Sequence, residues 1–146
     1  MTLTPLTSGS LLAGQHDGSI HVLTVTGTQH CIRRLSGPVF SACLTSEEDI
    51  CISAGSTIYL LERGSLRQIA ESRGSRGVVM GLAALPNSRV ASCGRDRTLR
   101  LWNMKNQREI ASLEFDAWLG GVCVVPDGRL VVGDALGRLH WLEVLL

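Results

Sequence analysis

Four arginines fall in two short segments, Ser72-Arg73-Gly74-Ser75-Arg76-Gly77 and Gly94-Arg95-Asp96-Arg97. A guanidinium presents a planar fork of donors that matches a carboxylate or phosphate through two parallel bonds. Arg73, Arg76, Arg95 and Arg97 therefore suit an acidic or phosphorylated partner, provided the fold brings both segments to one place. The competing reading is a solvated loop in which Glu71, Asp96 or Asp116 neutralises part of the charge. A third segment, Phe115-Asp116-Ala117-Trp118-Leu119-Gly120-Gly121, carries two aromatics. Phe115 and Trp118 either anchor a partner, as exposed aromatics do, or tuck beneath the loop and pack on a neighbouring element.

Other chemistries find no constellation. The five cysteines, Cys31, Cys43, Cys51, Cys93 and Cys123, are odd in number and include no CxxC pair. His16, His21, His30 and His140 show no paired zinc spacing. There is no GxSxG elbow for a serine nucleophile and no GxxxxGK[ST] phosphate loop. Asp17 and Asp96 sit in turns, where a carboxylate accepts backbone N–H bonds. The expectation is a binding protein with no catalytic residue, metal or cofactor.

Composition sets the background for these residues. With 45% hydrophobic and 18% charged residues, the chain is too apolar to be disordered. A formal net charge of +1 argues against bulk attraction to nucleic acid or membrane. No apolar stretch approaches the roughly 20 residues needed to cross a bilayer. The start, Met1 to Pro5, lacks the basic and apolar regions of a signal peptide. A cytoplasmic setting is the expectation, and 146 residues suffice for one domain.

The elements that must position the arginines come from a repeat. Four segments align, Leu11 to Leu23, Ile50 to Leu61, Val90 to Trp102 and Leu130 to Leu142. Each is an apolar run, a Gly/Asp/Ser turn, then an alternating strand, which reads as a β-hairpin. Ser19, Thr57, Thr98 and Arg138 open the second strands, at intervals of 38, 41 and 40 residues. A further strand precedes each hairpin: Leu3 to Leu6, Phe40 to Thr45, Met80 to Leu85 and Gly121 to Val125. A more polar strand follows the first three: Gln29 to Leu35, Leu66 to Glu71 and Arg108 to Leu113. The best helix candidate, Leu66 to Arg73, is short, uncapped and in the outer-strand register. Four strands per unit with the polar one outermost is the pattern of a propeller blade. The fold expected is all-β, four antiparallel blades at about 1–37, 38–77, 78–118 and 119–146, the last without its outer strand.

The segment from Val90 to Trp102 and Asn103 resembles the end of a WD repeat, with Asn in place of the usual Asp. The resemblance extends, more weakly, along the chain. It implies a non-enzymatic scaffold for protein–protein interaction. Its tryptophan column holds Leu23, Leu61, Trp102 and Leu142, and its turn aspartate survives as Asp17 and Asp96. No Gly-His dipeptide precedes the first strands, so the family's buried Asp-His-Ser/Thr-Trp network is expected to be incomplete. Apolar packing between blades then carries more of the stability. The stretch Gly133 to His140 is similar to the last blade of propellers at the C-terminus of NACHT and NB-ARC signalling NTPases.

In a WD blade, the loop entering the first strand and the turn between strands two and three emerge on one face. The resemblance thus implies that Arg73, Arg76, Arg95 and Arg97 share a sector, with Phe115 and Trp118 beside it. Polyanion binding, nucleic acid included, is the alternative use of that sector, disfavoured by the lack of interleaved aromatics. Cys43, Cys93 and Cys123 occupy columns of small residues, and Cys31 and Cys51 read as packing. His21 and His140 share a column with Tyr59 and Arg100, which reads as blade-to-blade packing. The missing outer strand leaves unpaired edges that a soluble protein must cover. Three arrangements would do so: a longer propeller, two copies completing an eight-bladed ring by homodimerisation, or closure of four blades alone.

Overall fold

A computed structural model describes residues 1–6, 9–27, 29–73 and 75–145; the side chains of residues 29–32 lie outside the description, among them His30 and Cys31. Among the described residues, fifteen strands appear in chain order. They are β1 (Thr2–Pro5), β2 (Leu11–Gly14), β3 (Ser19–Leu23) and β4 (Gln29–Arg34), then β5 (Val39–Leu44), β6 (Ile50–Ala54), β7 (Thr57–Leu61) and β8 (Gln68–Arg73). The third group is β9 (Val79–Leu85), β10 (Arg89–Gly94), β11 (Thr98–Asn103) and β12 (Arg108–Glu114). Last come β13 (Leu119–Val124), β14 (Leu130–Asp134) and β15 (Leu139–Leu142). Each group forms its own antiparallel sheet in sequential order, three of four strands and one of three. The helix candidate at Leu66 to Arg73 is strand β8; Leu66 itself sits at φ 56° in the turn before it.

Turn chemistry fixes the hairpins. Gly18 and Gly137 adopt φ of 86° and 79°, which a residue without Cβ does at little cost. Their N–H groups close the turns onto the carbonyls of Gln15 and Asp134. The register then pairs Leu12 with Val22, Cys51 with Leu60, Ala91 with Leu101 and Val131 with Trp141. These four pairs occupy the same place in each blade.

Neighbouring blades meet face to face, with β1 beside β5, β5 beside β9 and β9 beside β13. Three apolar clusters fill the junctions. Leu12 and Ile20 pack on Val39, Ile50, Ile52 and Leu61; Cys51, Ile58 and Leu60 pack on Val79, Val90 and Trp102. Ala91, Leu99 and Leu101 pack on Leu119, Leu130 and Val132. The core is therefore divided between blades. The stack is unclosed: among the described residues, no strand of the first blade packs broadly on a strand of the fourth.

The polar network of the third blade is partial, as the resemblance implies. The Trp102 indole donates to Ser92 Oγ at 2.8 Å in the interior. Asp96 is not linked to that pair through a histidine; it binds Arg100 instead.

Candidate functional site

Three backbone segments build one end of the third and fourth blades: the loop entering β9, the β10–β11 turn, and the loop entering β13. The Arg95 N–H donates to the Val78 carbonyl at 3.0 Å, and the Ala135 N–H to the Trp118 carbonyl at 2.9 Å. Each hairpin turn is thereby tied to the loop that enters its blade. The Phe115 N–H donates to the Arg97 carbonyl at 2.8 Å, joining the β10–β11 turn to the loop of the next blade.

Asp96 organises this region. Its carboxylate accepts from the Arg76 N–H at 3.1 Å and the Thr98 N–H at 3.2 Å, and pairs with Arg100 at 2.5 Å. Glu109 approaches the same guanidinium at 3.2 Å. Burial opposes ionisation of Asp96, but the Arg100 pair and the two N–H bonds outweigh it and hold the pKa below its ordinary value. Asp96 is thus spent on structure, and its ion pair goes to Arg100 rather than to Arg73, Arg76, Arg95 or Arg97.

Arg76 and Arg97 line one open recess of about 510 Å³, together with Arg100, Glu109 and Glu114. Arg97 reaches Glu114 at 2.7 Å through a pair exposed on both sides. Arg95 turns the other way and lies over the Trp118 ring, 5.8 Å from its centroid. Arg73 is drawn to Glu71 at 2.7 Å and does not line the recess. Among the described residues, the guanidinium groups of Arg76 and Arg95 have no carboxylate partner. Asp116 pairs with Arg138 rather than with any of the four.

The two aromatics divide. Phe115 is half-buried against the third junction and meets the His140 ring edge-on at 4.7 Å. Trp118 remains 44% exposed. Arg97 itself holds φ 66° at the turn position where the first and fourth blades have Gly18 and Gly137. A side chain in the left-handed region costs on the order of 1 kcal/mol.

Asp17 fills the turn role expected of it, accepting from the Ser19 N–H at 3.0 Å and pairing with Arg34 at 3.0 Å. The sequence alignment misses a third such residue, Asp134. It stands two positions earlier than Asp96 in the repeat, yet its fully buried carboxylate accepts from the Leu136 and Arg138 N–H groups. His140 Nε2 lies 2.8 Å from it. Burial again opposes ionisation, and the bonds from His140 and Arg138 overcome it, so the carboxyl stays well below its usual range. The histidine column is accordingly polar as well as packed: Tyr59 reaches Ser36 at 2.7 Å, and His21 reaches Ser19 at 3.2 Å. An acidic residue in the turn, six positions before a histidine, was the signal available. Among the described residues no cluster of three or more metal-ligating side chains occurs, and no helix is long and apolar enough to cross a membrane.

Residues 66–103, from the approach to β8 through β11, match the family described as WD domain, G-beta repeat. No curated protein matches the chain. The fold is similar to that of the WD40 beta propeller domain of Doa1, at a TM-score of 0.88 and 17% identity, over 99% of this chain and 50% of that one. It is also similar to the structure of U3-55K, at a TM-score of 0.74 and 18% identity, over 97% of this chain and 50% of that one. The chain spans about half the length of each. WD40 propellers are generally protein-interaction scaffolds without enzymatic activity. Among the described residues the fold is an unclosed array of four antiparallel sheets that matches half of a WD40 propeller chain.

Proposed function

We propose that the chain is a non-enzymatic protein-interaction scaffold that takes an acidic or phosphorylated segment of a partner protein on the surface formed by Arg76, Arg95, Arg97 and Trp118. The observation that carries this reading is the Arg95–Trp118 stack. An exposed indole with a guanidinium over it combines an apolar anchor with an unspent cation. A separate recess adds Arg76 without a carboxylate partner among the described residues and Arg97 with an exposed, exchangeable one. The left-handed Arg97 supports the same reading, because backbone strain of this kind gathers where side chains are held for a task. Arg73, held by Glu71, stands at the edge of the surface.

Calorimetric titration with a Glu-Glu-phosphoSer-Glu-Glu peptide and its unphosphorylated form tests the proposal. Binding is expected, weakened at least tenfold in Arg95→Ala and Trp118→Ala and less in Arg73→Ala. Equal affinity in all variants sinks the assignment. Tighter binding to a single-stranded oligonucleotide, lost steeply with salt, favours a nucleic-acid ligand instead.

A further inference from the structure

The second blade places two thiols directly opposite one another: Cys43 on β5 pairs with Cys51 on β6. The same cross-strand position holds Thr4 and Leu12 in the first blade, Ala83 and Ala91 in the third, and Cys123 and Val131 in the fourth. Two alanines fill it in the third blade, which also has a blade on either side, so packing there asks for no sulfur. Both cysteines belong to the second junction. Cys51 is fully buried with Ile58, Leu60, Val79, Val90 and Trp102, and Cys43 packs half-buried against that cluster. Directly opposed residues project to one face of the sheet, so the two thiols point the same way. They touch: a hydrogen bond with the Cys43 side chain, and burial after it, push the Cys51 thiol well above its ordinary value.

The ladder fixes how far apart their backbones stand. The Thr45 N–H donates to the Asp49 carbonyl at 2.9 Å, which makes Thr45 and Asp49 a hydrogen-bonded pair. Bonded and non-bonded pairs alternate, so Cys43 and Cys51, two pairs along, are hydrogen-bonded as well. The Cα atoms of such a pair stand about 5.5 Å apart, inside the range of roughly 4.4–6.8 Å that a disulfide spans. Their Cβ atoms, about 4.5–5.5 Å apart, must close toward the roughly 3.8 Å that a disulfide prefers. The bond is within reach at the cost of strain, and a strained disulfide is readily reduced again.

We infer that Cys43 and Cys51 are a reversible oxidative modification site, closing a disulfide across β5 and β6 at the expense of a low-molecular-weight disulfide such as glutathione disulfide. Cys43 is the point of entry, because Cys51 is sealed from solvent. The Cys43 sulfur, as thiolate, attacks one sulfur of the small disulfide, whose S–S bond breaks. One half stays on Cys43 and the other leaves as a thiol carrying the Cys43 proton. The Cys51 sulfur then attacks the Cys43 sulfur, and the second half leaves as a thiol carrying the Cys51 proton. Two protein thiols are oxidised to one disulfide, and one small disulfide is reduced to two thiols. Cys93 has no such route: burial pushes its thiol up to about 12, and its cross-strand neighbours are Gly81 and Leu99.

Both cysteines lie between Arg34 and Arg63 with no other Lys or Arg in the interval, so trypsin releases them in one peptide, 35–63. The reduced chain is exposed to glutathione disulfide, unfolded in iodoacetamide, digested and weighed. The wild-type peptide is expected to carry no alkyl group and to weigh about 2 Da less than its dithiol form, the two hydrogens given up to the new bond. Dithiothreitol before the alkylation should restore both alkyl groups. Cys51→Ala and Cys43→Ala copy the third blade's Ala91 and Ala83, so the fold accommodates them. Cys51→Ala should stop at a mixed disulfide on Cys43, and Cys43→Ala should leave Cys51 alkylated. Two alkylated cysteines in the wild-type peptide, under conditions that fully modify the exposed Cys123, overturn the inference. So does a mixed disulfide that persists on wild-type Cys43, or a bond that forms only in denaturant.

Discussion

Replacing Asp96 by alanine removes the carboxylate on which the third blade's entering loop, hairpin turn and Arg100 converge. The side chains of Asp96 and Arg100 are 7% and 10% exposed, so the pair sits close to the buried limit. Removing one partner of a buried pair costs about 3–5 kcal/mol, because the other charge is left in a poorly solvated place. Here Glu109 remains 3.2 Å from Arg100, and the Arg76 N–H can turn to water from its exposed loop. The low end, about 3 kcal/mol, is therefore expected. For a chain of this length each kcal/mol moves the midpoint by roughly 2–4 °C, giving a fall of about 6–12 °C in Tm. Thermal unfolding followed by circular dichroism at neutral pH measures it, with Arg100→Ala and the double variant completing a cycle. The two single losses should exceed the double loss by about 2 kcal/mol, the coupling of residues in direct contact. A Tm within about 2 °C of wild type, or a coupling below about 0.5 kcal/mol, refutes the organising role given to Asp96.

Three further outcomes follow from the same geometry. Asp17, Asp96, Asp116, Asp127 and Asp134 all hold folded pKa values below the ordinary 3.8. Their contribution is complete above that value and is lost as pH falls through the depressed folded ones. Tm should therefore be level from neutrality to about pH 5 and drop below about pH 4, and a level profile down to pH 3 contradicts this. Gly94→Ala places a Cβ 2.3 Å from the Val78 carbonyl oxygen, which holds the Arg95 N–H. Chemical denaturation should show a loss of about 2–4 kcal/mol, against near neutrality for Gly120→Ala, whose Cβ meets only the Trp118 ring at 3.5 Å. Arg97→Gly relieves the left-handed strain and gives up only an exposed ion pair. It should keep or slightly raise stability while weakening peptide binding several-fold, and unaltered binding removes Arg97 from the site.

The strands, their order and the junction faces are legible in the sequence because they rest on periodicity. Leu11, Ile50, Val90 and Leu130 recur at one register position, and the polar outer strands follow at regular spacing. The arginine segments are legible as a neighbourhood but not as a site. Which guanidinium is spent depends on side-chain reach: Glu71 takes Arg73, while Asp96 takes the column residue Arg100 and leaves Arg76 free of a carboxylate. Trp118 and Phe115 look alike in sequence, and only the fit of Phe115 against His140 separates them. Asp134 escapes an alignment by position because a carboxylate can reach the same turn N–H groups from a different backbone site.

Hydrogen exchange with the acidic phosphopeptide present and absent tests the recognition surface most directly. The account predicts slowed exchange at residues 75–78, 95–98 and 115–119, with the remainder of the four sheets unchanged. Protection elsewhere on the chain, or none under saturating peptide, contradicts it.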